Sequence, residues 1–396
     1  METFLKSLAR FENKYYSIIL VVLLALTIFM GVGVTKIKVQ SDMSASFPQD
    51  LDIFKTGDRV TEKFGGQDAI LVLIEIDENY ADEISVKDIR DPEVMKFLMN
   101  LENSLKVKSD FEVVQSAGTV FNMFGEPRNL DESKGILSQI PEADSFFSRD
   151  YTKTMLFIGA DLGSGPAKLK SIEKDVLDEV NGAGLPKGLK VTVTGTPSIT
   201  NLILKLLVSD GAKTLMVSAL IIFLLIFVLQ RSLAKALIVF LPLLVGVIWT
   251  MGTMGWLGIE LSMATAGIGT MVLGLGVEYS IFLFTRYHEE KGKNKKSRID
   301  ALETSIHAVG SSILGSSTTT IIGFLALTIS IMPLMQSLGL SLAIGIFYCL
   351  FMTLFLTPPL LVFEEEFMEK RDRKNYERLT KKYGEINKKK EKKNGK

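Results

Sequence analysis

Long apolar runs, empty of Asp, Glu, Lys and Arg, divide this 396-residue chain. The first extends from Tyr15 to Thr35, the second from Thr214 to Gln230 and the third from Ala236 to Ile259. The fourth begins at Leu261, ends at Arg286 and holds a single charge, Glu278. The last, Thr304 to Phe363, is also empty of all four and holds one histidine, His307. About 20 residues span the hydrocarbon, so this stretch is too long for one helix. Pro333 is the natural break and predicts two helices, near 309–331 and 337–357. The pattern therefore predicts six membrane helices, one ahead of a long polar segment and five after it. The first run is longer than the roughly 7–15 apolar residues of a signal-peptide core, which predicts a retained span.

Between the first and second spans the period changes. Residues 69–76, 111–115, 155–162 and 189–194 read as strands. Pro92 to about Val107 carries Val94, Phe97, Leu98, Leu101 and Leu105 at helical spacing. Pro166 to Val180 repeats that spacing with Leu169, Ile172, Val176 and Val180. The order is βαβ, a polar connector near 123–150, then βαβ again, which points to an α+β domain of two ferredoxin-like βαβ units. Ser198 to Ser209 reads as a helix capped by Ser198 and leading towards the second span.

Charge sets the orientation. Lys6, Arg10 and Lys14 precede the first span, and Arg231 and Lys235 lie between the second and third. Six more basic residues follow the fourth span, and the tail after Phe363 is rich in lysine. The short loops on the opposite side carry none. Both termini are therefore expected in the cytoplasm. The segments are a cytoplasmic 1–14, the first span at 15–35, an extracytoplasmic domain at 36–211, five spans at 212–363 and a basic cytoplasmic tail at 364–396. Residues 36–213 hold 21 Lys+Arg against 29 Asp+Glu, so the outer segment is acidic. That balance argues against nucleic acid as a partner. The tail could touch anionic lipids, although Asp372, Glu377, Glu385 and Glu391 interrupt its basic run and favour a solvated segment.

The chemistry on offer is narrow. The sole cysteine, Cys349, has no partner for an intrachain disulfide. The two histidines, His288 and His307, do not cluster with cysteines, so no metal is expected. No phosphate loop is present; Gly163–Lys168 lacks the spacing. No catalytic constellation is visible, and the chain does not read as an enzyme. Glu278 stands out, because an ionised group at mid-bilayer costs roughly 3 kcal/mol and marks ion or substrate pathways. On a helix, Gly267, Gly274, Glu278 and Thr285 share one stripe. Small residues admit a second helix, so the stripe is expected to face protein, with Gly267, Gly274 and Gly276 as packing positions. Burial favours the protonated carboxyl, which suits proton exchange near neutral pH. Ser312, Ser316, Thr319 and Thr320 are candidate supporting hydroxyls on the fifth span, unless they bond only their own backbone.

Gly274, Gly276, Val277, Tyr279, Arg286 and Tyr287 around Glu278, with the small, hydroxyl-rich Ser316–Gly323, resemble the resistance-nodulation-division superfamily. The resemblance is to its hydrophobe/amphiphile efflux and mycobacterial large membrane protein branch and covers nearly the whole chain. Glu278 stands where that family commonly has aspartate. The resemblance implies proton-motive-force-driven export of hydrophobic or amphiphilic molecules, lipids or drugs, with the proton as coupling ion and no other cofactor. Members usually contain two such halves. This chain is one, so a homodimer with twelve spans is expected, in contact with membrane lipids. The family pairs acid and tyrosine across its halves, which implies Glu278 of one subunit beside Tyr279 of the other. Two other classes share the plan: SecD/SecF-type protein-export accessory subunits and non-transporting sterol or lipid sensors. Residues 39–50 lack the glycine-rich motif of the former.

Overall fold

The computed structural model describes residues 2–40, 44–64, 68–78, 80, 86–160, 166–371 and 373. The basic tail beyond 373 and the predicted strand end at 161–162 lie outside the described residues. The chain forms two compact units: Met1–Val39 with Val208–Lys396, and Gln40–Leu207.

Helix α1 (Glu2–Val34) takes in the predicted cytoplasmic stub as well as the first span. It is non-helical at Tyr15, where the basic start meets the apolar run. The second unit follows with α2 (Asp52–Phe64), β1 (Asp68–Ile76), α3 (Pro92–Lys106) and β2 (Phe111–Gln115). Then come α4 (Gly118–Phe124), α5 (Leu130–Ser138), β3 (Lys153–Ala160), α6 (Pro166–Gly182) and β4 (Leu189–Gly195). Asp91 caps α3 by accepting from the Glu93 amide at 2.9 Å, with Pro92 in the first turn. The connector expected near 123–150 is folded. Asn129 caps α5 through the Glu132 amide, and Pro141 opens a 3-10 turn to Phe146.

The two βαβ stretches do not close separate sheets. Their strands share one antiparallel sheet in the order β2-β3-β1-β4. Strand β3 lies between β1 and β2, and β1 between β3 and β4, so each βαβ half fills the gap in the other. Val72 faces Leu156 on one side and Val193 on the other. Ile70, Val72, Ile74, Leu156 and Ile158 are buried with Phe97, Leu98 and Leu101 of α3 and with Ile172, Val176 and Val180 of α6. Asp88 accepts from Arg90 at 2.8 and 3.0 Å and pairs with Lys134 at 3.0 Å, while Arg90 stacks on Tyr151.

Helix α7 (Thr196–Gln230) is continuous, so the helix expected at 198–209 and the second span are one element. Next come α8 (Leu233–Leu257), α9 (Ile268–Gly292), α10 (Arg298–Ala326) and α11 (Pro333–Phe355). Pro333 opens α11, and the chain is helical again over 357–371 after a turn at Leu356. Among the described residues, six helices are long and apolar enough to cross a membrane. Small residues set their approach. A Cβ on Gly252 would lie 2.3 Å from the Met30 carbonyl, which joins α1 to α8. The Leu261 amide donates to the Lys38 carbonyl, which ties the end of the first span to the loop before α9.

Candidate functional site

Helix α9 starts at Ile268, so Glu278 lies about 15 Å along it and about 12 Å before Arg286, near mid-depth of a hydrocarbon core. Buried Val272, Leu273, Gly276, Tyr279, Ser280 and Leu283 hold one side of α9 in the bundle. The other side is open: Met271, Gly274, Leu275, Glu278, Phe282 and Thr285 are exposed. The stripe through Gly274, Glu278 and Thr285 therefore exists, but within this chain it faces outwards rather than towards protein. The bundle takes its packing from the Gly276 side, and that turns the carboxylate away. Among the described residues no hydrogen bond or ion pair reaches it.

The three glycines differ. A Cβ on Gly276 would sit 2.6 Å from Cys349 Sγ, so this residue lets α9 approach α11. Gly274 has open space at that position. Gly267 precedes the helix, with φ −87° and ψ 0°, and has only the end of Met271 near it, so it is not a packing position.

Helix α10 supplies the hydroxyls. Ser312, Ser316 and Thr319 are exposed and Thr320 is half-buried. Thr319 and Thr320 both donate to the Ser316 carbonyl, at 2.7 and 3.0 Å, and Thr318 donates to Leu314. Their protons are committed to their own helix, while their oxygens can still accept. Tyr279 is 2% exposed, and Glu278 and Thr320 are its polar neighbours. It sits in the core of its own chain, one helical step from the open face.

The motif's final residues serve another purpose. Arg286 pairs at 2.5 Å with Glu290, which is 1% exposed and also held by Lys296 and Asn294. Tyr287 donates to Glu365 at 2.5 Å, Lys291 pairs with the same residue, and Tyr16 donates to Glu366 at 2.6 Å. These bonds tie α1, α9 and the final helical segment at one end of the bundle. Sequence reasoning missed this hub because its partners are 78 and 350 residues apart. It also missed Glu12, which is fully buried with neither carboxylate oxygen hydrogen-bonded. Among the described residues, no group of three His, Cys, Asp or Glu is placed to hold a metal.

Residues 45–386 match the MMPL family. The membrane protein MJ1562 of Methanocaldococcus jannaschii is 35% identical over 367 residues, which are 91% of this chain and 94% of that protein. The siderophore exporter MmpL5 of Mycobacterium tuberculosis is 29% identical over 195 residues, 46% of this chain and 19% of the relative. The hopanoid transporter HpnN of Burkholderia multivorans is 30% identical over 157 residues, 39% and 18% of the two chains. The alignments thus span nearly all of the first relative and about a fifth of the other two.

Proposed function

This chain belongs to the MMPL family, and on that footing we propose that it exports hydrophobic or amphiphilic molecules, driven by the proton-motive force, as a homodimer. The observation that carries the reading is Glu278, a lone acid at mid-span on an open helix face. Hydrocarbon would leave that carboxylate unsolvated, so it needs a proton, a partner or a wet path. A second copy laid on the same face would cover Glu278, Gly274 and the exposed hydroxyls of α10 around a twofold axis. The segment shared with MmpL5 is 46% of this chain but 19% of that relative, which is therefore more than twice as long. MJ1562 is close to this chain in length. Cargoes in the relatives' names, a siderophore and a hopanoid, support export of bulky molecules.

In this scheme Glu278 gains and loses the transported proton. One charge moved across 100 mV is worth about 2.3 kcal/mol, enough to bias a two-state cycle. Tyr279 and Thr320 form the wall behind the carboxyl in the same chain. Tyr279→Phe is expected to slow coupled transport while leaving the dimer intact. The test is accumulation of a fluorescent amphiphile by vesicles with an imposed pH gradient. Accumulation that stops when a protonophore collapses the gradient supports the reading. Accumulation indifferent to the gradient, or none with a panel of lipids and amphiphiles, overturns it.

A further inference from the structure

The α+β unit contains a half-open cavity of about 380 Å³ between α4 and the 3-10 turn at Pro141–Phe146. That volume is in the range of small-molecule sites. Val120, Met123, Ile140, Ala143 and Phe146 give it a mostly apolar wall. Met123 is 76% exposed, and the adjacent Phe124 is exposed too, so the apolar surface continues past the mouth. A flexible, polarizable Met at a mouth adapts to varied apolar bodies.

The polar part of the lining has a definite sense. Ser116 and Thr119 donate their only hydroxyl protons to Glu102, at 2.7 and 2.9 Å. Ser145 gives its proton to the Glu142 carbonyl at 2.6 Å. A hydroxyl has one proton to give, so none of the three can donate to a ligand. Ser116 is fully buried and its oxygen already accepts from the Gly118 amide at 3.0 Å, and Thr119 accepts from the Ser116 amide at 3.2 Å. This leaves Thr119 and the exposed Ser145 with lone pairs towards the cavity. Glu102 beneath them is fully buried and neutralised by Lys106 at 2.6 Å. The charge left on the lining is Glu142, which is exposed and has no ion pair among the described residues. Gln115 is the remaining side chain with protons to donate. A site so rich in acceptors favours a donor-bearing, positively charged head and disfavours an anion.

We propose that this cavity binds a cationic amphiphile, with the apolar body along Val120, Met123 and Phe146 and the head at Glu142. Its place on an export path rests on the transport reading above; the binding itself does not.

The test uses the full chain in lipid nanodiscs, with a bimane fluorophore attached through Phe124→Cys. Cys349 is buried, so labelling is confined to that position. Octylammonium, whose head carries three N–H donors and a positive charge, and octyl sulfate are titrated separately. The expected result is saturable binding of the ammonium and little of the sulfate. Glu142→Gln should weaken the ammonium by about threefold, as an exposed charge pair allows. Glu142→Lys, at an exposed position that does not endanger folding, should reverse the preference. Ser145→Trp should weaken both ligands by blocking the mouth. Equal binding of both ligands, a preference unchanged in Glu142→Lys, or binding unmoved by Ser145→Trp overturns the proposal. Lost proton coupling with this binding intact would count against the transport reading alone.

Discussion

Glu102 and Glu278 are the same residue in opposite situations. Glu102, in the α+β unit, is fully buried and has its acceptor capacity filled by Ser116, Thr119 and Lys106. Glu278, in the helical unit, lies in an apolar span on an open face, and among the described residues no hydrogen bond or ion pair reaches it. A fully satisfied acid is fixed in one state and specifies structure. An acid without partners in an apolar setting needs a proton, a partner or a wet path. Glu290 falls on the structural side of this division, held by Arg286, Lys296 and Asn294. Position in a membrane helix therefore does not decide the role of an acid; its complement of partners does.

The sharpest way to break this comparison is to remove each carboxylate. Glu102→Ala leaves the hydroxyls of Ser116 and Thr119 without their acceptor and is expected to cost about 2–4 kcal/mol, read by thermal unfolding of the full chain. Glu278→Gln should leave unfolding within about 0.5 kcal/mol of the parent. If the second change destabilises as much as the first, Glu278 is structural. The glycines give the next largest contrast. Gly276→Ala drives a methyl into Cys349 and should cost about 1–3 kcal/mol. Gly274→Ala meets nothing within the chain and should be neutral for unfolding, yet should lower the dimer fraction in sedimentation. Neutrality in both measurements would mean that no second copy covers that face.

A smaller effect is expected at Asp88. Burial alone would raise its pKa, but hydrogen bonds from Arg90 and Lys134 outweigh that and hold the carboxyl well below the usual carboxylate range. The folded chain therefore binds this proton more weakly than the unfolded chain. The stabilisation is complete above the unfolded value of about 3.9 and is lost as pH falls below it. Asp88→Asn should flatten the acid limb of a stability-against-pH curve by about 1 kcal/mol. An unchanged limb would locate the acid sensitivity elsewhere.

The helices were legible where charge is absent. The break at Pro333 follows from one proline, whereas the start of α9 at Ile268 did not show, because Leu261 to Gly267 is as free of charge as the helix and Gly267 falls on its stripe by period. Strand positions followed from alternation. Their interleaving in one sheet did not, because pairing between Val72 and both Leu156 and Val193 is a long-range choice. The folded connector was hidden by the shortness of α4 and α5 in a polar stretch. For the site, the stripe of Gly274, Glu278 and Thr285 was readable from helical period. Its outward direction was not, because that depends on Gly276 meeting Cys349, 73 positions away in the chain.

The most direct test of the central claim is proton flux into proteoliposomes under an imposed pH gradient, with the parent and Glu278→Gln measured side by side, with and without amphiphile. The account predicts amphiphile-stimulated flux in the parent and none in Glu278→Gln, with both equally folded. Equal stimulated flux in the two would contradict it and place the proton path elsewhere.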